Sequence, residues 1–138
     1  MMLSRFVRNE RGTAMVEMAI VLPIIILFFL GMIDFGRAIF LYNNLTNAAR
    51  EGARFGASQV QGGSTPPAPG PIQDTTKVRI VDFSGQPLDA TASIVATTTI
   101  SKITVTITNY SFKPITPLPM VSSLKLNVKA VFRYEAAP

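Results

Sequence analysis

The chain has 138 residues, of which 48% are hydrophobic, and carries a formal charge of +5 at neutral pH. This length accommodates one membrane-spanning helix and one small domain. Cysteine and histidine are both absent, which excludes disulfides and most zinc sites, Ser-His triads and cysteine nucleophiles. The eight acidic residues are not clustered, and the basic residues are scattered. We therefore expect no enzyme activity, no metal or cofactor site and no nucleic-acid binding.

Residues 1–12 form a short basic leader, with three arginines ahead of the apolar run: Arg5, Arg8 and Arg11. Residues 14–33 are then interrupted only by Glu17 and Pro23. At about 1.5 Å per residue, this stretch spans a hydrocarbon core of roughly 30 Å. Because arginines stay on the cytoplasmic side, the N-terminus is predicted inside and everything after Asp34 outside.

This segment has two simpler interpretations. A cleaved secretory signal has a shorter apolar region and ends at a small-x-small site, which this run lacks. A plain signal anchor accounts for everything except Gly12, Glu17 and the spacing between them. Pro23 predicts a kink or an opened turn, a feature common in membrane helices of all kinds.

Glu17 is the residue that distinguishes these interpretations. An unpaired carboxylate in a membrane helix costs about 2–3 kcal/mol, and less near the interface. Cleavage after Gly12 would make Glu17 the fifth residue of the mature chain and free an α-amine on Thr13. That amine is a cationic partner for Glu17 in a neighbouring, staggered helix. The alternative is that Glu17 reaches the cytoplasmic interface and has no role.

The helical periodicity continues beyond the membrane, so we predict one helix over residues 13–58, amphipathic over 34–58. Three small residues spaced four apart on this second part permit close backbone approach: Ala48, Gly52 and Gly56. This stripe fits packing on the chain's own sheet and packing against another subunit, and both stay open.

Residues 59–76 are rich in Gly, Pro and Ser, which predicts an exposed linker. An exported β-domain is predicted over 77–138, with strands near Lys77–Phe83 and, more weakly, Ser93–Thr99. The clearest alternation of apolar and polar residues follows Ile103 and recurs from Leu124. We predict an α+β fold: an antiparallel sheet of three or four strands covered by the C-terminal half of the long helix.

The basic leader, Gly12 and Glu17 have the arrangement typical of type IV prepilins, and residues 11–57 resemble the TadE-like family. The matching stretches are RGTAMVEMA from Arg11, Leu-Pro at 22–23, Asp-Phe-Gly-Arg at 34–37 and, most specifically, NAAREGAR at 47–54. Members of that family are minor pilins or pseudopilins of tight-adherence (Flp) pilus systems. Major Flp pilins usually carry tyrosine after the glutamate, where this chain has Met18, and are much shorter.

The resemblance implies that a prepilin peptidase cuts between Gly12 and Thr13 and that Glu17 belongs to the processing and assembly motif. It implies other pilin or TadE/TadF-like subunits as partners, besides membrane lipid. The protein is then expected in the bacterial cytoplasmic (inner) membrane as a single-pass protein, with the option of incorporation into a pilus.

A rival hypothesis is a permanently anchored single-pass envelope protein whose β-domain binds a ligand. It predicts an uncleaved N-terminus and indifference to the loss of Glu17. The state of the N-terminus in the native membrane distinguishes the two.

Overall fold

The computed structural model describes residues 10–60, 66–81, 92–116 and 124–134, with the side chains from Gly12 onward. Two helices and three strands follow one another along the chain: α1 (Glu10–Ser58), α2 (Pro69–Arg79), β1 (Ser93–Thr99), β2 (Lys102–Phe112) and β3 (Leu124–Arg133). The predicted α+β fold, a long N-terminal helix packed on a small antiparallel sheet, is confirmed. Most of the predicted leader lies outside the described residues.

The first helix is one element of 49 residues, unbroken at Pro23. At the rise of an α-helix it is about 73 Å long, more than twice the thickness of a hydrocarbon core. Only its upper part, from Asp34 onward, contributes buried residues. The lower part extends beyond the rest of the fold.

The sheet has the strand order β1-β2-β3, and both pairs are antiparallel. Alternation in β2 places Ile103, Val105 and Ile107 in the core, where all three are completely buried. The threonines between them lie on the opposite, partly exposed face. The period-two pattern therefore reports correctly which face of this strand meets the helix.

A β-bulge changes this alternation near the end of β2. Two residues of β2, around Asn109, lie opposite Asn127 of β3. Asn109 has a positive φ of 60°, and its amide donates to Asn127 Oδ1 at 2.8 Å. The extra residue shifts the alternation by one position, so Tyr110 and Phe112 continue the buried row.

The second helix corrects two predictions. Helix α2 occupies residues for which an exposed linker (59–76) and a strand (near Lys77–Phe83) were expected, so both predictions are wrong over Pro69–Arg79. The last two residues of the expected strand lie outside the described part of the chain. Prolines open α2, where the missing N–H group leaves no intrahelical bond unmade. Ile72 and Thr76, one turn apart, are completely buried. Burial of this one face stabilises a helix whose composition indicates a loop.

Strand β2 runs antiparallel to the upper part of α1 and along its length. Near one end of β2, Ile103 lies close to Gly56, and at the other end the Phe112 ring lies 5.4 Å from the Arg37 guanidinium. The helix rises about 28 Å between these two levels and the strand about 30 Å. One end of the sheet therefore lies where the apolar part of α1 ends, and the other lies far from it.

Candidate functional site

The lower part of α1 has no buried residue between Thr13 and Ile33. Its most apolar window has a mean hydropathy of 2.7, and none of it is buried inside the protein. A helix that is apolar on every face, with none of that surface covered by its own chain, requires lipid or other helices around it. This is the single candidate membrane-spanning helix in the described part of the chain.

The predicted processing and assembly residues lie along this lower part. Gly12 and Thr13 belong to the first turns of α1, and Glu17 and Pro23 are exposed further along it. Thr13 and Glu17 are four residues apart, so they lie one above the other on one face of the helix. Glu17 is accessible from outside the chain, either to a neighbouring subunit or to the membrane interface.

The small-residue stripe packs inside the molecule. A methyl group on Gly52 would overlap the Thr76 hydroxyl and approach the Ile72 carbonyl oxygen to 3.3 Å. One on Gly56 would lie 2.6 Å from Ile72 Cδ1 and 3.0 Å from Ile103 Cδ1. Ala48, the third member, is buried. The two glycines thus allow the close approach of α2, an element that the sequence analysis had not predicted.

Asp34 forms a polar contact between α1 and the residues that follow β2. It is only 7% exposed, and its carboxylate accepts four hydrogen bonds. Two come from the backbone amides of Ile115 and Thr116, at 2.8 Å and 2.7 Å. The Thr116 hydroxyl and the Arg37 guanidinium, the latter at 3.2 Å, provide the others. We call Asp34, Arg37, Phe112, Ile115 and Thr116 the junction cluster.

The junction cluster keeps Asp34 ionised. The Ile115 amide and the Thr116 hydroxyl lower its pKa from 3.8 to about 2, against the opposing effect of burial. The Thr116 amide and the positive charge of Arg37 act in the same direction as these donors. Because Arg37 also lies over the Phe112 ring, it links the carboxylate to the end of β2.

In the sequence, Asp34 stands out as the end of the apolar run and as part of the Asp-Phe-Gly-Arg stretch at 34–37, and neither feature predicts its contacts. Its partners are 81 and 82 residues away along the chain, so no local pattern could identify them. The spacing of Asp34 and Arg37, three residues apart on one helix, was visible but typical of any exposed ion pair. A smaller contact of the same kind joins Asn44 Oδ1 to the Val81 amide at 3.2 Å.

These contacts hold structural elements together. Because the chain has no His and no Cys, its candidate metal ligands of the usual kinds are Asp and Glu side chains. Within the described ranges, no three of these side chains come together. At the junction cluster, backbone and side-chain donors hold one carboxylate in place.

Residues 12–54 match the model of a family described as TadE-like protein, which confirms the resemblance predicted from the sequence over this segment. The match begins at Gly12, ends in the upper part of α1, and includes neither α2 nor the sheet. No curated protein and no solved structure matches the chain. The relationship to known proteins therefore rests on the long helix.

Proposed function

We propose that this chain is a minor pilin or pseudopilin-like subunit that takes part in assembling a Tad (Flp) pilus or a related secretion apparatus. One observation carries the proposal: the segment that matches the TadE-like family is a helix whose apolar lower part is left entirely uncovered by its own chain. Such a helix can pack against the equivalent helices of other pilin-type subunits once they share a membrane.

The proposal includes processing by a prepilin peptidase between Gly12 and Thr13. The family match begins at this glycine, and Glu17 lies exposed one turn beyond Thr13. Removal of residues 1–12 would place a free α-amine at the start of the membrane helix. This amine would pair with Glu17 of an adjacent subunit and so compensate the cost of a carboxylate in the bilayer.

In this proposal the β-domain stands outside the cytoplasmic membrane on the upper part of α1, and the N-terminus is cytoplasmic. The junction cluster would then hold the domain in one orientation relative to the membrane helix. The partner of the whole protein before processing is the prepilin peptidase. After processing, its partners are other pilin or TadE/TadF-like subunits.

The test is the mature N-terminus, read by intact mass and N-terminal sequencing from membranes with and without an active prepilin peptidase. We expect a start at Thr13 only when the peptidase is active. Gly12→Val should retain the leader, whereas Gly31→Val, at a glycine with open space around it, should be processed normally. A start at Met1 or Met2 despite an active peptidase would contradict the proposal and favour the permanently anchored ligand-binding protein.

A further inference from the structure

Exposed apolar surface continues from the lower part of α1 onto the β-domain. Phe35, immediately after Asp34, is 68% exposed, and two residues from the near end of the sheet are also exposed: Ile115 at 57% and Leu124 at 47%. We call Phe35, Ile115 and Leu124 the proximal patch. Contiguous exposed apolar side chains are typical of a surface that contacts a membrane or another protein.

The junction cluster sets the height of the proximal patch. The Ile115 amide donates to Asp34, the residue that directly follows the apolar run, so Ile115 lies at the level where α1 leaves the hydrocarbon core. Leu124 pairs with Phe112, whose ring lies against Arg37, one turn above Asp34 on the same helix. The patch is therefore continuous with the membrane-spanning surface.

An apolar groove lies between two members of the patch, Phe35 and Leu124. It has a volume of about 240 Å³ and lies between α1 and the near end of the sheet. Its walls include Phe35 and Ala38 on the helix, and Phe112, Pro114 and Leu124 on the β-domain. A groove with this volume and apolar lining, at the exit of a membrane helix, is suited to accept part of an acyl chain.

Cationic side chains border this apolar surface. Lys113 follows Phe112, Lys125 follows Leu124, and both are exposed at this end of the sheet. Lysine stems lie along apolar surface while their ammonium groups reach phosphate, an arrangement typical of membrane interfaces. Apolar side chains at the level of the bilayer with lysines beside them match the chemistry of a phospholipid leaflet.

We propose that the near end of the sheet rests in the leaflet on the side of the β-domain. Ile115 and Leu124 insert just below the head groups, Lys113 and Lys125 contact lipid phosphates, and the groove accepts an acyl chain. The domain is then bound to the membrane by a second contact besides the helix. This inference uses the insertion of α1 in a bilayer and holds whether or not the leader is removed.

The absence of tryptophan from the chain allows a direct test. Ile115→Trp introduces a single indole at an exposed position whose contact with Asp34 uses only the backbone. The full chain is reconstituted in vesicles of phosphatidylcholine and phosphatidylglycerol, with acyl chains brominated either near the head group or near the methyl end. Leu27→Trp, in the middle of the span, and Ile100→Trp, at the far end of the sheet, are the controls.

We expect the indole of Ile115→Trp to emit at shorter wavelength and to be quenched more by shallow than by deep bromines. Leu27→Trp should show the opposite preference, and Ile100→Trp should be quenched by neither. Leu124→Trp should reproduce the pattern of Ile115→Trp, as a second position in the patch. Two results would overturn the proposal: an Ile115→Trp signal equal to that of Ile100→Trp, or a blue shift that grows with protein density without bromine quenching, which would identify a subunit contact instead.

Discussion

The two parts of α1 form one continuous helix but meet different surroundings. The lower part exposes large side chains on every face, mainly Ile, Leu, Phe and Met. Beyond Asp34, the upper part buries mainly small side chains on one face. Leu45 is the one large buried residue there, and the others are Ala48, Ala49, Gly52, Ala53 and Gly56. Side-chain size, more than hydrophobicity, therefore distinguishes the surface that packs inside this molecule from the surface that stays exposed to its surroundings.

Small residues let α2 and the sheet approach the upper part of α1 closely, so its stability comes from tertiary packing. The lower part has no such packing in its own chain and depends on lipid or on other subunits. Substitutions in the upper part should therefore change the unfolding of the β-domain, and those in the lower part should not.

The largest expected effect comes from Leu45→Ala, because Leu45 is completely buried in the core. Removing its side chain should lower the free energy of unfolding by about 2–5 kcal/mol. Urea unfolding of the full chain in micelles, followed by tyrosine fluorescence, measures this quantity. Leu27→Ala, in the lower part, is the matched control and should leave the transition unchanged. Equal losses in both variants would remove the distinction between the two parts.

A smaller loss is expected from Gly52→Ala. The added methyl group would overlap the Thr76 hydroxyl, and such overpacking costs about 1–3 kcal/mol, partly offset by roughly 1 kcal/mol of helix propensity. Gly36→Ala gains the same propensity with open space around the site, so it should be neutral or stabilising. The same unfolding assay compares them. A Gly52→Ala variant as stable as Gly36→Ala would show that α2 does not pack tightly on the stripe.

Asp34→Asn should weaken the contact between α1 and the β-domain while leaving the core intact, since the amide keeps one acceptor oxygen for the amides of Ile115 and Thr116. Because the folded protein lowers the pKa of Asp34 to about 2, the carboxylate stabilises the fold fully above pH 4. That contribution is lost as the pH falls from about 4 toward 2. The unfolding midpoint of the variant should lie below that of the wild type at pH 6, and the gap should close toward pH 2. A gap independent of pH would contradict the role of the ionised carboxylate.

The smallest effect on stability is expected from Glu17→Ala, which should leave the unfolding transition of the β-domain unchanged. The variant should still insert in the membrane but assemble poorly, because the proposed partner of the neighbouring α-amine is lost. Incorporation into isolated pili or pilus complexes measures this, with Met18→Ala, at an exposed neighbouring position, as control. Normal incorporation and normal piliation by Glu17→Ala would contradict the pairing.

The strongly periodic elements could be predicted from the sequence. The apolar run and the three- and four-residue spacing indicated α1, and the alternation from Ile103 indicated β2. The bulge at Asn109 is also visible in the sequence, because the apolar positions that are buried change from odd to even numbers between Ile107 and Tyr110. These features depend on neighbours in the chain, which a sequence displays directly.

The missed features depend on distant residues. Helix α2 contains prolines at its start and buries only Ile72 and Thr76, so its stability derives from the glycines of α1 rather than from its own composition. The role of Asp34 requires the loop after β2, more than 80 residues later. The predicted stripe of small residues was recognised, but the element packed against it was not.

The junction cluster also determines the direction in which Glu17 points around the axis of α1. A continuous α-helix resists twisting, and from Glu17 to Asp34 it turns by 100° per residue, which leaves the two side chains about 100° apart around its axis. Because Asp34 is held by the loop at Ile115 and Thr116, the azimuth of Glu17 is set by the β-domain. If a neighbour docking on the surface of the domain rotated it, the Glu17 carboxylate would turn around the helix axis by the same angle.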